Sequence, residues 1–534
     1  MVRRDRDPSM SSRPFSLGTP NIHRIIVIFL SILLSFTLLN SLFKNYELSS
    51  PDGLRYGSDG PHTHDSADED HRFAMVIPAT SPSPDLCKTI ITALSLGYPS
   101  PVIINWGVDF RDITHSDRGK NLPKIPGFVK YLDAVMHSEA HPSERLREDD
   151  IVLMVDGYDM WFQLPAQVLL SRYHEINRKA NERLLKQWNR REPMPMRQTI
   201  VTGAGKRCAP NNRTKYGIDM LCDSWPESPM RKDMYGPDTD KFITEDCHDT
   251  RPRWINGGIY IGPAGDMRRL FRRTMERMEA GLGLGLPLIS EQGMVGEIIG
   301  EQEVWRQRMR EQPMARGKLA DFMERDFEYH AGVDFGQVLS AQTASTVINQ
   351  SIDLFDGDFV ILDDQAAIDQ HSETRGISPA RISGVPDDIK DAPNPLLSFD
   401  QAANWSTMPL YADFFTESVP VILHHNGFKR SRSTWWDRPW YYKRLRELFK
   451  GSLQPREPDE ALVTLQHGGN RIRYWPVSAE VTDRLPRRVN GTAVGRYPNL
   501  EFGNICRYNE GKVPKGYEKK WWDEVFRDNG GKLF

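Results

Sequence analysis

No two of the five cysteines, Cys87, Cys208, Cys222, Cys247 and Cys506, are spaced C-x-x-C, so the chain carries no zinc ribbon. An excess of one charge is missing too, because 69 Lys and Arg balance 72 Asp and Glu. Nucleic-acid binding needs a concentrated basic face, and no such partner is expected. After residue 430 there is no His-x-Asp with a distant His, so that segment carries no facial triad of an Fe(II) oxygenase. Material for a large core is present: 39% of the residues are hydrophobic and 10% aromatic. A length of 534 residues is long for one domain and short for three. The odd cysteine count leaves at least one thiol unpaired within a monomer. Cys208 and Cys222 flank an Asn- and Pro-bearing loop suited to a disulfide in an oxidising compartment.

Long apolar runs are scarce, and the one that stands out is N-terminal. Ile25 to Phe43 are 19 residues without a charge, enough to span a bilayer. Arg3, Arg4, Arg6, Arg13 and Arg24 precede the run, which by the positive-inside rule keeps residues 1–24 cytosolic. The run is too long for a typical signal-peptide core and no A-x-A-like site follows, so an uncleaved anchor is expected. Everything after Lys44 is then luminal or extracellular. Sequons at Asn212, Asn349, Asn404 and Asn490 agree with that topology. Residues 44–70, rich in Ser, Gly, Pro, Asp and His, read as a flexible stem.

From His71 the pattern turns globular. "FAMVI" is strand-like, "DLCKTIITALSLGY" helical and "PVIINW" strand-like again. That order predicts an α/β fold with a mainly parallel sheet flanked by helices. "IVLMV" (151–155) is a continuous apolar run, as in a strand covered on both faces. Beyond it, Leu169, Tyr173, Ile176, Ala180 and Leu184 recur at steps of four, three, four and four, a helix. "TIVTG", "GGIYIG", "FVIL" and "PVILHH" are further strands. The segment after residue 430 is set apart as a C-terminal extension: a lid, an interface or packing.

The "IVLMV" strand runs into "DGYD", which aims Asp156 and Asp159 from the carboxyl edge of a sheet, where ligands collect in open α/β folds. An Asp after a strand is often only a helix cap, and two further features raise a metal reading here. Tyr158 lies between the carboxylates, where a flat base can stack. "VPVILHHNGFK" ends another apolar strand with His424 and His425. Carboxylates plus one imidazole suit Mn²⁺, and a divalent ion so held neutralises a leaving diphosphate.

Five stretches then occur in one order: "EDDIVLMVDGYDMWF", "WINGGIYIGPAGDM", "SEQGMVGEII", "DFVILDDQAAIDQ" and "VILHHNGFK". This order resembles the glycosyltransferase domain of procollagen lysyl hydroxylases, a GT-A nucleotide-sugar transferase, over roughly residues 73–430, with an insertion around 179–197. The resemblance implies that Asp156, Asp159 and His424 ligate Mn²⁺, with His425 an adjacent rival, and that Tyr158 contacts uracil. It implies, more loosely, nucleotide-binding loops at Thr80 and Trp106. Lys124 looks like the family's lysine near the diphosphate, and Asn256, Gly257 and Gly258 match the stretch lining the sugar and acceptor pocket. Where the family has paired acids before a Gln, this chain has Ser290, Glu291 and Gln292. The hydroxylase half is absent.

The expected organisation is a cytosolic tail (1–24), an anchor (25–43), a stem (44–70), a GT-A domain (71–430) and an extension (431–534). The expected activity is transfer of a sugar from a UDP-sugar to a protein or glycan acceptor, in the Golgi or endoplasmic-reticulum membrane. If the reaction inverts, Glu291 is the candidate base. A nucleotide- or glycan-binding protein without turnover is the alternative. A nucleotide-sugar pyrophosphorylase or hydrolase is disfavoured by the absence of a Gly-rich, Lys-bearing phosphate loop.

Overall fold

The computed structural model describes residues 68–189, 193–210, 220–241, 247–311, 325–457, 459–477, 484–489, 491, 493–509 and 520–533. The expected tail and anchor, and the stem as far as residue 67, lie outside the described residues. Among those described, no helix is long and apolar enough to cross a membrane. Asp68, Glu69 and Asp70, expected in the stem, instead begin the first strand.

The chain is mixed α/β with a mainly parallel central sheet. Its first eight strands are β1 (Asp68–Pro78), β2 (Val102–Ile104), β3 (Ile151–Val155), β4 (Met160–Phe162), β5 (Ile200–Gly205), β6 (Trp254–Pro263), β7 (Ala331–Asp334) and β8 (Ser340–Gln342). The main sheet runs from the hairpin Val463–His467/Asn470–Pro476 through β1, β3, β6 and β5 to β7, with β2 also on β1. Five of its eight strand pairings are parallel; β6 is antiparallel to both neighbours.

Side-chain alternation divides the apolar residues into two cores. Phe73, Met75 and Ile77 of β1 join Ile151, Leu153 and Val155 of β3 on one face. Ala74, Val76, Val152 and Met154 face the other. Helices Pro84–Ser95 and Ala166–Trp188 cover the first face, through residues such as Leu86, Ile90, Leu169 and Tyr173. Helices Lys124–Val135, Ala264–Gly283 and Glu291–Glu311 cover the second. Because both faces are covered, all five residues of β3 are buried, as its unbroken apolar run predicts.

The segment after residue 430 does not stand apart. Strand Asn470–Pro476 pairs in parallel with β1, from Asp68↔Arg471 to Phe73↔Pro476, and Arg487–Arg488 pairs with β2. Of the three roles left open for the extension, packing is the one observed. Cys506 forms a disulfide with Cys87 across a separation of 419 residues, and Ser83 N donates to Ile505 O at 2.9 Å. The Cys208–Cys222 disulfide forms as expected, and Cys247 is buried outside both disulfides. Asn349 and Asn404 are exposed, and each side chain accepts from the backbone N–H of its own sequon serine, Ser351 or Ser406. Asn212 and Asn490 lie outside the described residues.

Cross-linking such distant segments restricts the unfolded chain. Cys506→Ser is expected to lower the unfolding free energy by about 2–4 kcal/mol, read as an earlier midpoint in urea under non-reducing conditions. An unchanged midpoint would mean that strand pairing alone holds the C-terminal segment.

Candidate metal centre

β3 delivers Asp156 and Asp159 to the carboxyl edge of the sheet, and the chain returns at once through β4. That strand lies antiparallel to Ile422–His424, with Met160 opposite His424, and His425 N donates to Asp159 O at 2.7 Å. The aspartate loop and the histidine strand are thus locked in register. The third element is β6. Opposite Thr202 and Gly203 of β5, its pairing jumps from Tyr260 to Asn256, so Gly257, Gly258 and Ile259 bulge from the ladder on the β5 side. Gly258 O accepts from Asp156 N at 3.0 Å. A Cβ on Gly258 would lie 2.2 Å from His424 Cε1, so glycine is what lets the imidazole in.

Asp156, Asp159 and His424 each offer a ligand atom, all within 4.8 Å of one another. His424 Nε2 is 3.7 Å from Asp156 Oδ2 and 3.6 Å from Asp159 Oδ1. The other ring nitrogen, Nδ1, is 3.0 Å from Asn256 Oδ1, an oxygen that also accepts from Gly258 N. With that carbonyl as acceptor, Nδ1 carries the proton and the Nε2 lone pair faces the carboxylates. Nε2 is buried with no hydrogen-bond partner, an arrangement a metal ion satisfies.

His425 belongs to the core. Its Nδ1 contacts Ser431 Oγ at 2.9 Å, its ring centroid is 3.9 Å from that of Trp161, and burial lowers its pKa to about 3. Of the two histidines the geometry selects His424. A second group, His71, Asp149 and Asp150, also clusters, but Asp150 is occupied in accepting from Arg72 N and Arg147 N at 2.7 and 2.6 Å.

Lys124 and Glu291 meet at the same place from two helix starts. Lys124 Nζ is 2.5 Å from Asp156 Oδ1 and 2.7 Å from Glu291 Oε1. Burial works against the ammonium, but the two carboxylates overcome it and raise its pKa. Burial pushes the Glu291 carboxyl up, the Lys124 ammonium pulls against it, and the Asp156 charge adds to the rise. Glu291 is 2% exposed and its Oε2 has no hydrogen-bond partner. Ser290 Oγ accepts from Gly293 N at 3.2 Å, so Ser290 caps the Glu291 helix.

On the opposite flank the Tyr158 hydroxyl accepts from the backbone N–H groups of Thr80 and Ser81, each at 3.1 Å, and donates to Ser81 O at 2.9 Å. Gly107 N donates to Thr80 O at 3.0 Å, bringing the half-buried Trp106 beside the same loop. Asn105 Nδ2 donates to Pro123 O at 2.9 Å, which ties this loop to the helix bearing Lys124. All of the sequence-predicted site residues therefore collect around one edge of the sheet. Gln292, Gln342 and Arg432 were not anticipated. Gln292 Oε1 accepts from Gly257 N at 2.9 Å, Gln342 Oε1 from Asn256 Nδ2 at 3.2 Å, and Tyr158 O from Arg432 Nη1 at 3.2 Å. Gln292 sits inside a quoted motif and was within reach; Gln342 follows no apolar pattern that marks it.

No family model matches this sequence, and no curated protein matches it.

Gly258→Ala is expected to displace the His424 ring and weaken Mn²⁺ binding about tenfold or more, measured by electron paramagnetic resonance titration. His425→Gln should leave that affinity unchanged and lower thermal stability instead. Parental Mn²⁺ affinity in Gly258→Ala would remove His424 from the ligand set.

Proposed function

We propose that the chain is a GT-A-type, metal-dependent glycosyltransferase that moves a sugar from a UDP-sugar to a protein or glycan acceptor. It is anchored by residues 25–43 as a single-pass type II protein of the Golgi or endoplasmic-reticulum membrane, with its catalytic part luminal. The observation that carries this reading is the convergence of Asp156, Asp159 and the unpartnered Nε2 of His424 within 4.8 Å. Two carboxylates and a neutral imidazole suit Mn²⁺. The ordered resemblance of five motifs to the glycosyltransferase domain of procollagen lysyl hydroxylases supplies the donor class. Two disulfides agree with an oxidising, luminal compartment.

When bound, Mn²⁺ supplies positive charge for the leaving diphosphate. The protein's own residues do the rest. Lys124 presents an ammonium beside Asp156, placed to share that charge. Tyr158, its hydroxyl tied to the 80–81 backbone, offers a ring fixed for stacking on uracil, flanked by Thr80 and Trp106. Asn256 orients His424, and the Gly257–Gly258 bulge makes room for the His424 ring and the Glu291 carboxylate. Glu291, buried with a raised pKa, is the base candidate for an inverting transfer. Its contact with Lys124 equally favours a second reading, in which the site holds a UDP-sugar without turning it over.

Calorimetry on the full chain tests the donor site. UDP is expected to bind with Mn²⁺ present, and to lose that binding in EDTA or in Asp159→Ala. Absence of UDP binding in either condition would end the transferase reading. Turnover separates the two readings: Glu291→Gln should retain UDP binding and lose roughly 10²–10⁴-fold in rate. Full activity in a folded Glu291→Gln protein would strip Glu291 of the base role.

A further inference from the structure

A cavity of about 560 Å³ lies between the C-terminal end of helix Pro84–Ser95, the start of helix Ala166–Trp188, the Pro393–Phe399 segment and the stretch around Arg456 and Arg484. The same helix Pro84–Ser95 begins beside the Thr80 loop, and its 12 residues carry the chain roughly 18 Å from there. The cavity is therefore separate from the metal centre. Leu96, Pro165, Pro395 and Phe399 give it apolar walls, and Phe399 remains 47% exposed.

Two guanidiniums line this cavity with little to hold them. Arg484 Nε is buried with no hydrogen-bond partner. Arg456 makes one long contact, Nη2 to Gly97 O at 3.5 Å. Glu457 and Glu460 are exposed acids on the lining, yet neither forms an ion pair with either arginine among the described residues. Burial lowers the Arg484 pKa to about 10, with the Arg456 charge adding to the effect; burial likewise lowers that of Arg456, against a weaker pull from Glu460. Two like charges sharing a partly desolvated space cost stability unless an anion joins them, and a guanidinium fork is shaped for an oxyanion.

We propose that this cavity binds a small organic oxyanion, a phosphate ester or a carboxylate, whose apolar or ring-shaped body lies on the proline and phenylalanine walls. The site is independent of the transferase reading. The test is calorimetric titration of the full chain with phenyl phosphate, benzoate and inorganic phosphate, each in EDTA. Phenyl phosphate or benzoate should bind saturably at one site per chain, more tightly than inorganic phosphate. Asp159→Ala should not change the affinity. Arg484→Gln and Arg456→Gln should each weaken it about tenfold or more, with circular dichroism confirming that both variants fold. If Arg484→Gln does not fold, Arg456→Gln carries the test. Stronger binding of phenyl phosphate marks a phosphate ester as the ligand class, and stronger binding of benzoate marks a carboxylate. No saturable heat from any probe, or affinity unchanged in the folded arginine variants, would overturn the proposal.

Discussion

The hydrogen bond from Asp156 N to Gly258 O continues the β3–β6 pairing one step past the end of β3, and the metal centre depends on it. It holds the first carboxylate against the bulge of β6, and that bulge is where the backbone gives way to the His424 ring. Asn256, on the other side of the same bulge, fixes the ring's tautomer. One irregularity in an otherwise ordinary ladder thus sets the position of one ligand and the orientation of another.

Charge explains why these groups tolerate burial together. Lys124 stands at the first residue of its helix, where the helix dipole disfavours a cation by about 0.3–1 kcal/mol. Contacts to Asp156 and Glu291 at 2.5 and 2.7 Å offset that cost. Glu291 opens its own helix, where the dipole favours an anion. Three carboxyl groups around one ammonium still leave an excess of negative charge, and the unpartnered Nε2 of His424 faces into it. Such a balance is poor for a purely structural cluster and good for a site that takes up a cation.

Much of this was legible in the residues. "IVLMV" is β3 residue for residue, because a strand buried on both faces needs an unbroken apolar run, and the helix after the aspartates followed from its spacing. Asp156, Asp159 and His424 were readable because each stands where an apolar strand ends. Three features were not. β4 is three residues long, too short for any periodicity, and was passed over on the way to the helix. Strand Asn470–Pro476 mixes charged and aromatic residues at the margin of the sheet, so it was left within the C-terminal extension. Cys87 and Cys506 carry no local sign of their pairing, since proximity across the fold leaves no trace in spacing. The choice between His424 and His425 was open in sequence because adjacent residues on a strand differ only in the face they present.

The Cys87–Cys506 link also bears on the order of events during synthesis. Cys87 leaves the ribosome 419 residues ahead of its partner, an interval of roughly 20–80 s at ordinary elongation rates. Over that time β1 lacks its Asn470–Pro476 neighbour, and the turn around Ser83 lacks the Ile505 carbonyl that pins it. The nascent chain can build its central strands early, but the loop that carries Thr80 and steadies Tyr158 is pinned only by residues translated much later. Full pinning of the turn between Thr80 and Ser83 therefore waits for the segment around Cys506.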